Sequence, residues 1–213
     1  MCLDRIFGWT ISQGSREPLL PVVRRALLSL LFRAVVLIGT VTLVAALSAG
    51  GWAGYLMETG NIHTVIPGQL FRSAELSRDG FELVIRRFHI NTVINLRGAH
   101  PGHRWYDDEL AAARATGAQH IDLRLSATHI VNAAELDEIR TVLTNSQRPI
   151  LVHCQGGADR SGLVAALYEY WIAHRGTEEA GAQLSFRYGH FPWLGSRTAA
   201  MDEVWQYVVR VRS

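Results

Sequence analysis

The spacing of apolar and polar positions divides the chain at about residue 58. From Ala34 to Met57 there is no charged residue, and the 24-residue run AVVLIGTVTLVAALSAGGWAGYLM shows no polar stripe. At 1.5 Å per residue it is long enough to cross a hydrocarbon layer of about 30 Å. Beyond it the pattern changes to short apolar strings alternating with helical spacing. Strands are predicted at Gln69–Arg72, Thr92–Leu96, Gln119–Leu123 and Ile150–Val152. Helices are predicted from Ser77 to Phe88, His103 to Thr116, Ala133 to Thr144, Ser161 to His174, Thr177 to Arg187 and Thr198 to Arg212. Strands separated by helices of this length predict an α/β fold, a central, mostly parallel sheet flanked by helices. The expected organisation is a basic lead over 1–33, a transmembrane anchor over 34–57 and one catalytic domain over 58–213.

Charge refines the picture at the anchor. The lead carries Arg5, Arg16, Arg24, Arg25 and Arg33 against Asp4 and Glu17, whereas no Arg follows the span until Arg72. Positive flanks stay in the cytoplasm, so the catalytic domain is expected on the far side of a membrane, the bacterial inner membrane being the expected one. A cleaved signal peptide, with Ala46-Leu47-Ser48 as a small-residue site, and a buried core helix are the competing readings. The net charge of +2 speaks against a nucleic-acid partner. All 21 basic residues are Arg, which excludes Schiff-base chemistry and a P-loop lysine. The two cysteines, Cys2 and Cys154, are far apart, so a disulfide framework and a multi-Cys metal site are not expected. No metal or other cofactor is expected.

The chemistry lies after the most apolar strand. His153-Cys154-Gln155-Gly156-Gly157-Ala158-Asp159-Arg160-Ser161 leads from that strand into a helix. A Gly-containing loop at a helix N-terminus offers its N–H groups and the helix dipole to an anion. Cys154 at its base is the candidate nucleophile, and such surroundings favour a thiolate. Arg160 can grip phosphate oxygens bidentately. Ser161 can donate to the sulfur, and His153 can orient the loop by bonding to backbone. Gln155, Gly156, Gly157 and Ala158 are the candidate phosphate-binding backbone, and Arg97 is a further substrate-binding candidate beside Arg72 and Arg124. Two carboxyls compete for proton transfer: Asp122, at a strand end 32 residues before Cys154, is slightly favoured over Asp159, inside the loop. Asp107, Asp108 and Glu109 read as a dipole-matched helix start. The aromatic stretch from Tyr188 to Gly195 reads as a loop tucked against the core, or one that covers substrate or a membrane surface.

His153-Cys154-x5-Arg160-Ser161 resembles the signature loop of the cysteine-dependent protein tyrosine and dual-specificity phosphatases. Gly68-Gln69-Leu70-Phe71-Arg72-Ser73 and Val93-Ile94-Asn95-Leu96-Arg97 look like elements of small bacterial dual-specificity-like members. The resemblance implies metal-independent hydrolysis of a phosphomonoester through a phosphocysteine intermediate, with phosphotyrosine protein as the usual substrate class. Asp159 directly before Arg160 looks like the loop of myotubularin-type lipid phosphatases, which makes a phospholipid or lipid-linked phosphate the alternative substrate. A non-catalytic phosphate-binding module is the alternative of another class.

Overall fold

The computed structural model describes residues 19–193 and 195–212. The start of the expected basic lead, with Cys2, Arg5 and Arg16, lies outside the described residues, as do Leu194 and Ser213. Helix α1 runs from Leu19 to Glu58. It includes Arg24, Arg25 and Arg33, so the helix extends well into the basic lead. The stretch Val23–Glu58 has a mean hydropathy of 2.3 at its most apolar, with none of that window buried, and is long and apolar enough to cross a membrane. Two compact units divide between Ala49 and Gly50. The second unit begins at Gly50, inside the apolar run. The reason is local: Leu56 is buried, and the Trp52 indole Nε1 donates to the Phe186 carbonyl at 3.1 Å.

In the second unit, five strands form one sheet: β1 (His63–Ile66), β2 (Leu70–Ser73), β3 (Thr92–Asn95), β4 (Gln119–Asp122) and β5 (Ile150–His153), in the order β1-β2-β5-β3-β4. Four strands are parallel, and β1 runs antiparallel to β2. Strand β1 was not expected from the pattern; its burial rises only over its second half. Central β5 pairs Ile150 with Leu70 on one side and Thr92 on the other.

Alternation along the strands feeds two cores. Leu70, Ile94, Ile150 and Val152 face α4 (Ala133–Asn145), α5 (Asp159–Trp171) and α7 (Ala199–Arg212), where Ile139, Leu143, Leu163, Val164, Leu167, Met201 and Val204 complete the cluster. Phe71, Val93 and Leu151 face α2 (Arg78–Phe88) and α3 (Arg104–Thr116), meeting Phe81, Val84, Ile85 and Ala112. Fully burying such a side chain contributes about 1.5–3 kcal/mol. The expected helix over 177–187 is instead a short α6 (Thr177–Gly181) followed by a 3-10 turn at Phe186–Tyr188. Gly181 allows close packing there, since a Cβ would come 2.8 Å from the Trp205 indole nitrogen. Helix α5 starts two residues earlier than expected, which places Asp159 and Arg160 in its first turn.

Candidate active site

The C-terminal ends of parallel strands are where α/β sheets form sites. Here β5 ends at His153, and Cys154 opens a loop that closes at the start of α5. Cys154 is a free, buried thiol with Sγ 3.4 Å from Ser161 Oγ.

The loop's carbonyls explain its chemistry. Gln155 O accepts from Glu75 N at 3.2 Å, and Gly156 O accepts from Asn61 Nδ2 at 2.9 Å. Arg72 Nη2 donates to Gly157 O at 2.9 Å and Ala158 O at 2.8 Å. Across a planar trans peptide, N–H points opposite to C=O. Four successive carbonyls drawn back toward the β1–β2 side therefore turn four successive N–H groups toward the space in front of Cys154. Such a set of N–H groups makes an anion cradle. Gly157 permits it: its φ is +66°, and a Cβ would lie 2.5 Å from Ala74 N. The N–H groups so turned belong to Gly156, Gly157, Ala158 and Asp159, each one position after its carbonyl, so of the expected set Gln155 takes part through its carbonyl alone.

Arg72 is corrected from pocket liner to clamp. It is fully buried, with Nη1 donating to Gln183 O and Oε1 at 2.8 and 2.9 Å, and it lies over the Tyr188 ring at 4.3 Å. Desolvation lowers its pKa to about 10, partly opposed by the charges of Cys154, Tyr188 and Asp159. It stays cationic near neutral pH. Arg160 reaches the site from α5. Its Nη1 makes only long bonds, 3.3 Å to Leu96 O and 3.4 Å to Leu125 O, and its buried Nε has no protein partner among the described residues. A half-buried guanidinium this poorly satisfied is suited to receive a phosphoryl group.

His153 does not bond backbone with its side chain, as was expected. Its Nε2 lies 2.8 Å from Glu109 Oε1, which His120 Nε2 also approaches at 2.7 Å. Burial pushes Glu109 up, but the charges and hydrogen bonds of His153 and His120 outweigh it and hold the carboxyl at about 2. Glu109 is therefore not part of a solvated helix start. It is 1% exposed and fixes the strand end behind Cys154.

The two candidate acids differ in their partners. Asp122 ends β4, in register with Asn95, which is in register with His153. Two strand spacings place it roughly 10 Å to the side. Asn95 Nδ2 donates to its Oδ1 at 2.8 Å, and Tyr106 OH donates to its Oδ2 at 2.6 Å. Desolvation and the bond to Asp122 push the Tyr106 phenol up to about 12, so the donor persists. Both oxygens of Asp122, the expected and slightly favoured acid, thus accept hydrogen bonds from neighbouring side chains. Asp159 opens α5, where the loop closes, with Oδ1 2.7 Å from His190 Nδ1.

Arg97 lies over Trp105 at 3.5 Å and pairs with Glu75. Desolvation first, then repulsion from Arg160, lowers its pKa. Together with Met57, Ala74 and Gln155 these residues line a cavity of about 380 Å³ beside the loop. Arg124 packs its stem against Gly98 and is exposed. In the aromatic stretch Tyr188 and His190 are drawn inward, whereas Phe191 and Trp193 remain exposed. Sequence reasoning missed Asn61, Glu75, Glu109, Gln183 and His190. Only Glu109 left a signal, lying three residues after Tyr106 on the buried face of α3.

No curated protein matches the chain in sequence. Among solved structures, TpbA of P. aeruginosa is similar: 19% identical, covering 71% of this chain and 92% of that one, TM-score 0.51, with a second structure of TpbA in complex with pTyr at the same score. The catalytic core of the PP-IP phosphatase SIW14 of S. cerevisiae, in complex with citrate, is 16% identical, covers 71% of this chain and 92% of that chain, and has a TM-score of 0.53. At these identities the likeness is one of fold. The sequence carries the rest: residues 50–171, more than half of the protein, match the model of the tyrosine phosphatase family, and the chain belongs to that family.

Proposed function

We propose that the protein hydrolyses phosphomonoesters by way of a phosphocysteine on Cys154. The observation that carries this is the loop whose four carbonyls are tied back behind a buried thiol, with Arg160 underused beside it. The N–H groups and Arg160 bind the phosphoryl oxygens and stabilise the charge that develops in transfer. Cys154 attacks phosphorus as thiolate. Asp159 gives a proton to the leaving oxygen, then as carboxylate takes one from the attacking water. Ser161 donates to the departing sulfur. Asp159 fits this role better than its rivals: Glu75 is paired, Glu109 is sealed, Asp122 is doubly bonded, and the segment from Ser126 to Asn132 has no carboxylate.

Phosphotyrosine protein is the first substrate class, supported by the family and by an aromatic-walled cavity at Trp105 next to the loop. A lipid-linked phosphate is the second reading. It is favoured by Met57, the last residue of the charge-free run, which lines the same cavity. In both readings residues 34–57 anchor the chain in a membrane, with the catalytic unit on the non-cytoplasmic side. Phosphate release by the full chain in detergent, from phosphotyrosine peptides, phosphoinositides and phosphatidylglycerophosphate, tests the proposal. Cys154→Ser is expected to lose more than about a hundredfold in kcat while still binding phosphate analogues. Retained turnover would refute covalent catalysis at this residue.

A further inference from the structure

A second histidine–carboxylate chain stands at the start of α5. His190, on the segment after the 3-10 turn, is 0% exposed. Its Nδ1 is 2.7 Å from Asp159 Oδ1 on α5, and its Nε2 is 2.8 Å from Asp202 Oδ2 on α7. A ring fixed at both nitrogens has one orientation. Asp159 Oδ1 is thereby occupied, and its second oxygen is free to turn toward the phosphoryl group. Asp159 and Asp202 keep side-chain exposures of 26% and 31%, so the chain reaches from the site to solvent through a buried ring.

We propose that His190, braced by Asp202, is a positioning residue that holds Asp159 for proton transfer. This rests on Asp159 being the acid and base of the proposed reaction. In the first step the S–P bond forms, the P–O bond breaks, and the Asp159 proton goes to the leaving oxygen. The new carboxylate forms 2.7 Å from an imidazolium already aimed at it. In the second step water attacks phosphorus, its proton goes to Asp159, and the P–S bond breaks to return the thiolate. His190 keeps its two protons throughout and supplies charge and orientation.

The charged groups facing the ring are Asp159 from α5 and Asp202 from α7, and Arg72 on β2 acts on Asp159 from behind the loop. Burial alone would lower the His190 pKa, but the bonds and charges of the two carboxylates outweigh it and raise it. A raised value means the imidazolium is fully present below the ordinary value of 6.5 and lost as pH rises through the folded one. Neutral His190 can donate to only one carboxylate.

The test uses the full chain in detergent with an alkyl phosphate and an activated aryl phosphate. General acid catalysis is worth about 10²–10⁴-fold when the leaving group is poor. His190→Ala is expected to lower kcat/KM on the alkyl substrate at least about tenfold, to change the aryl substrate less than about threefold, and to add little in an Asp159→Asn background. Asp202→Asn, which keeps a hydrogen-bonding group, is expected to move the basic limb of the kcat/KM profile to lower pH. Equal losses on both substrates that also add to Asp159→Asn would overturn the proposal, as would an unmoved pH profile in Asp202→Asn. The Asp159 reading fails separately, if Asp159→Asn alone shows no leaving-group dependence.

Discussion

Two histidine–carboxylate networks sit at the two ends of the Cys154 loop, one at the end of β5 and one at the start of α5, and they differ chiefly in their access to water. At the end of β5, Glu109 joins His120 and His153 with the carboxylate 1% exposed. At the start of α5, His190 joins Asp159 and Asp202, whose carboxylates are partly open. The residue types are the same, but the consequence is opposite. A sealed carboxylate held at about 2 by two imidazoles cannot exchange protons with a substrate; it fixes the end of β5. A half-open carboxylate on a buried ring has both a fixed orientation and access to water. Burial of the carboxylate, more than the presence of histidine, separates scaffold from chemistry.

Breaking the sealed network should have the largest effect. Glu109→Ala leaves two imidazoles without their common partner, and removing one member of a buried pair costs about 3–5 kcal/mol. Urea unfolding of the full chain in detergent should register a loss of that size; a loss under about 1 kcal/mol would show the network to be slack. Its pH signature is also fixed. The folded carboxyl lies at about 2, below the ordinary 4.5, so its stabilisation is present above about 4.5 and disappears as pH falls toward 2. The wild-type midpoint should fall across that window, and that of Glu109→Gln should fall less.

The carbonyl clamp comes next. Arg72→Lys replaces a planar fork that reaches two sets of acceptors with a point charge. Displacing catalytic groups by about 1 Å can cost 10²-fold, and kcat should drop about tenfold to a hundredfold although Arg72 never touches substrate. Unchanged kinetics would mean that the loop holds its own shape. The smallest effect should come from Arg97→Gln. It removes a charge already paired with Glu75, and surface-side pairs of this kind contribute about 0–1 kcal/mol. KM should rise severalfold with kcat kept, and a fall in kcat alone would place Arg97 closer to the transferred group than its cavity does.

The sequence made the catalytic loop legible because Cys154, Arg160 and Ser161 act through neighbours in the chain. Strands β2 to β5 were legible for the same reason, each being a short apolar string ended by turn residues. The supports were not. Asn61, Glu75 and Arg72 reach Gly156, Gln155 and Gly157 across 80 or more positions, through contacts made only once β2 lies beside β5. Nothing in the pattern pairs His190 with Asp159 and Asp202, since the three come from a loop and two different helices. The spacing of Asp122 from Cys154 made it attractive as an acid, and only its bonds to Asn95 and Tyr106 show it to be engaged. Antiparallel β1, polar at one end and short, had no pattern to find.

The central claim is that the carboxylate on the open network, and not the one on β4, moves the proton. The direct measurement is kcat/KM against leaving-group pKa, over a series from activated aryl to alkyl phosphates, for wild type, Asp159→Asn and Asp122→Asn. The account predicts a nearly flat wild-type line, a steep one for Asp159→Asn with losses reaching about 10²-fold or more on alkyl substrates, and a flat line for Asp122→Asn. A steep line for Asp122→Asn with a flat one for Asp159→Asn would contradict it.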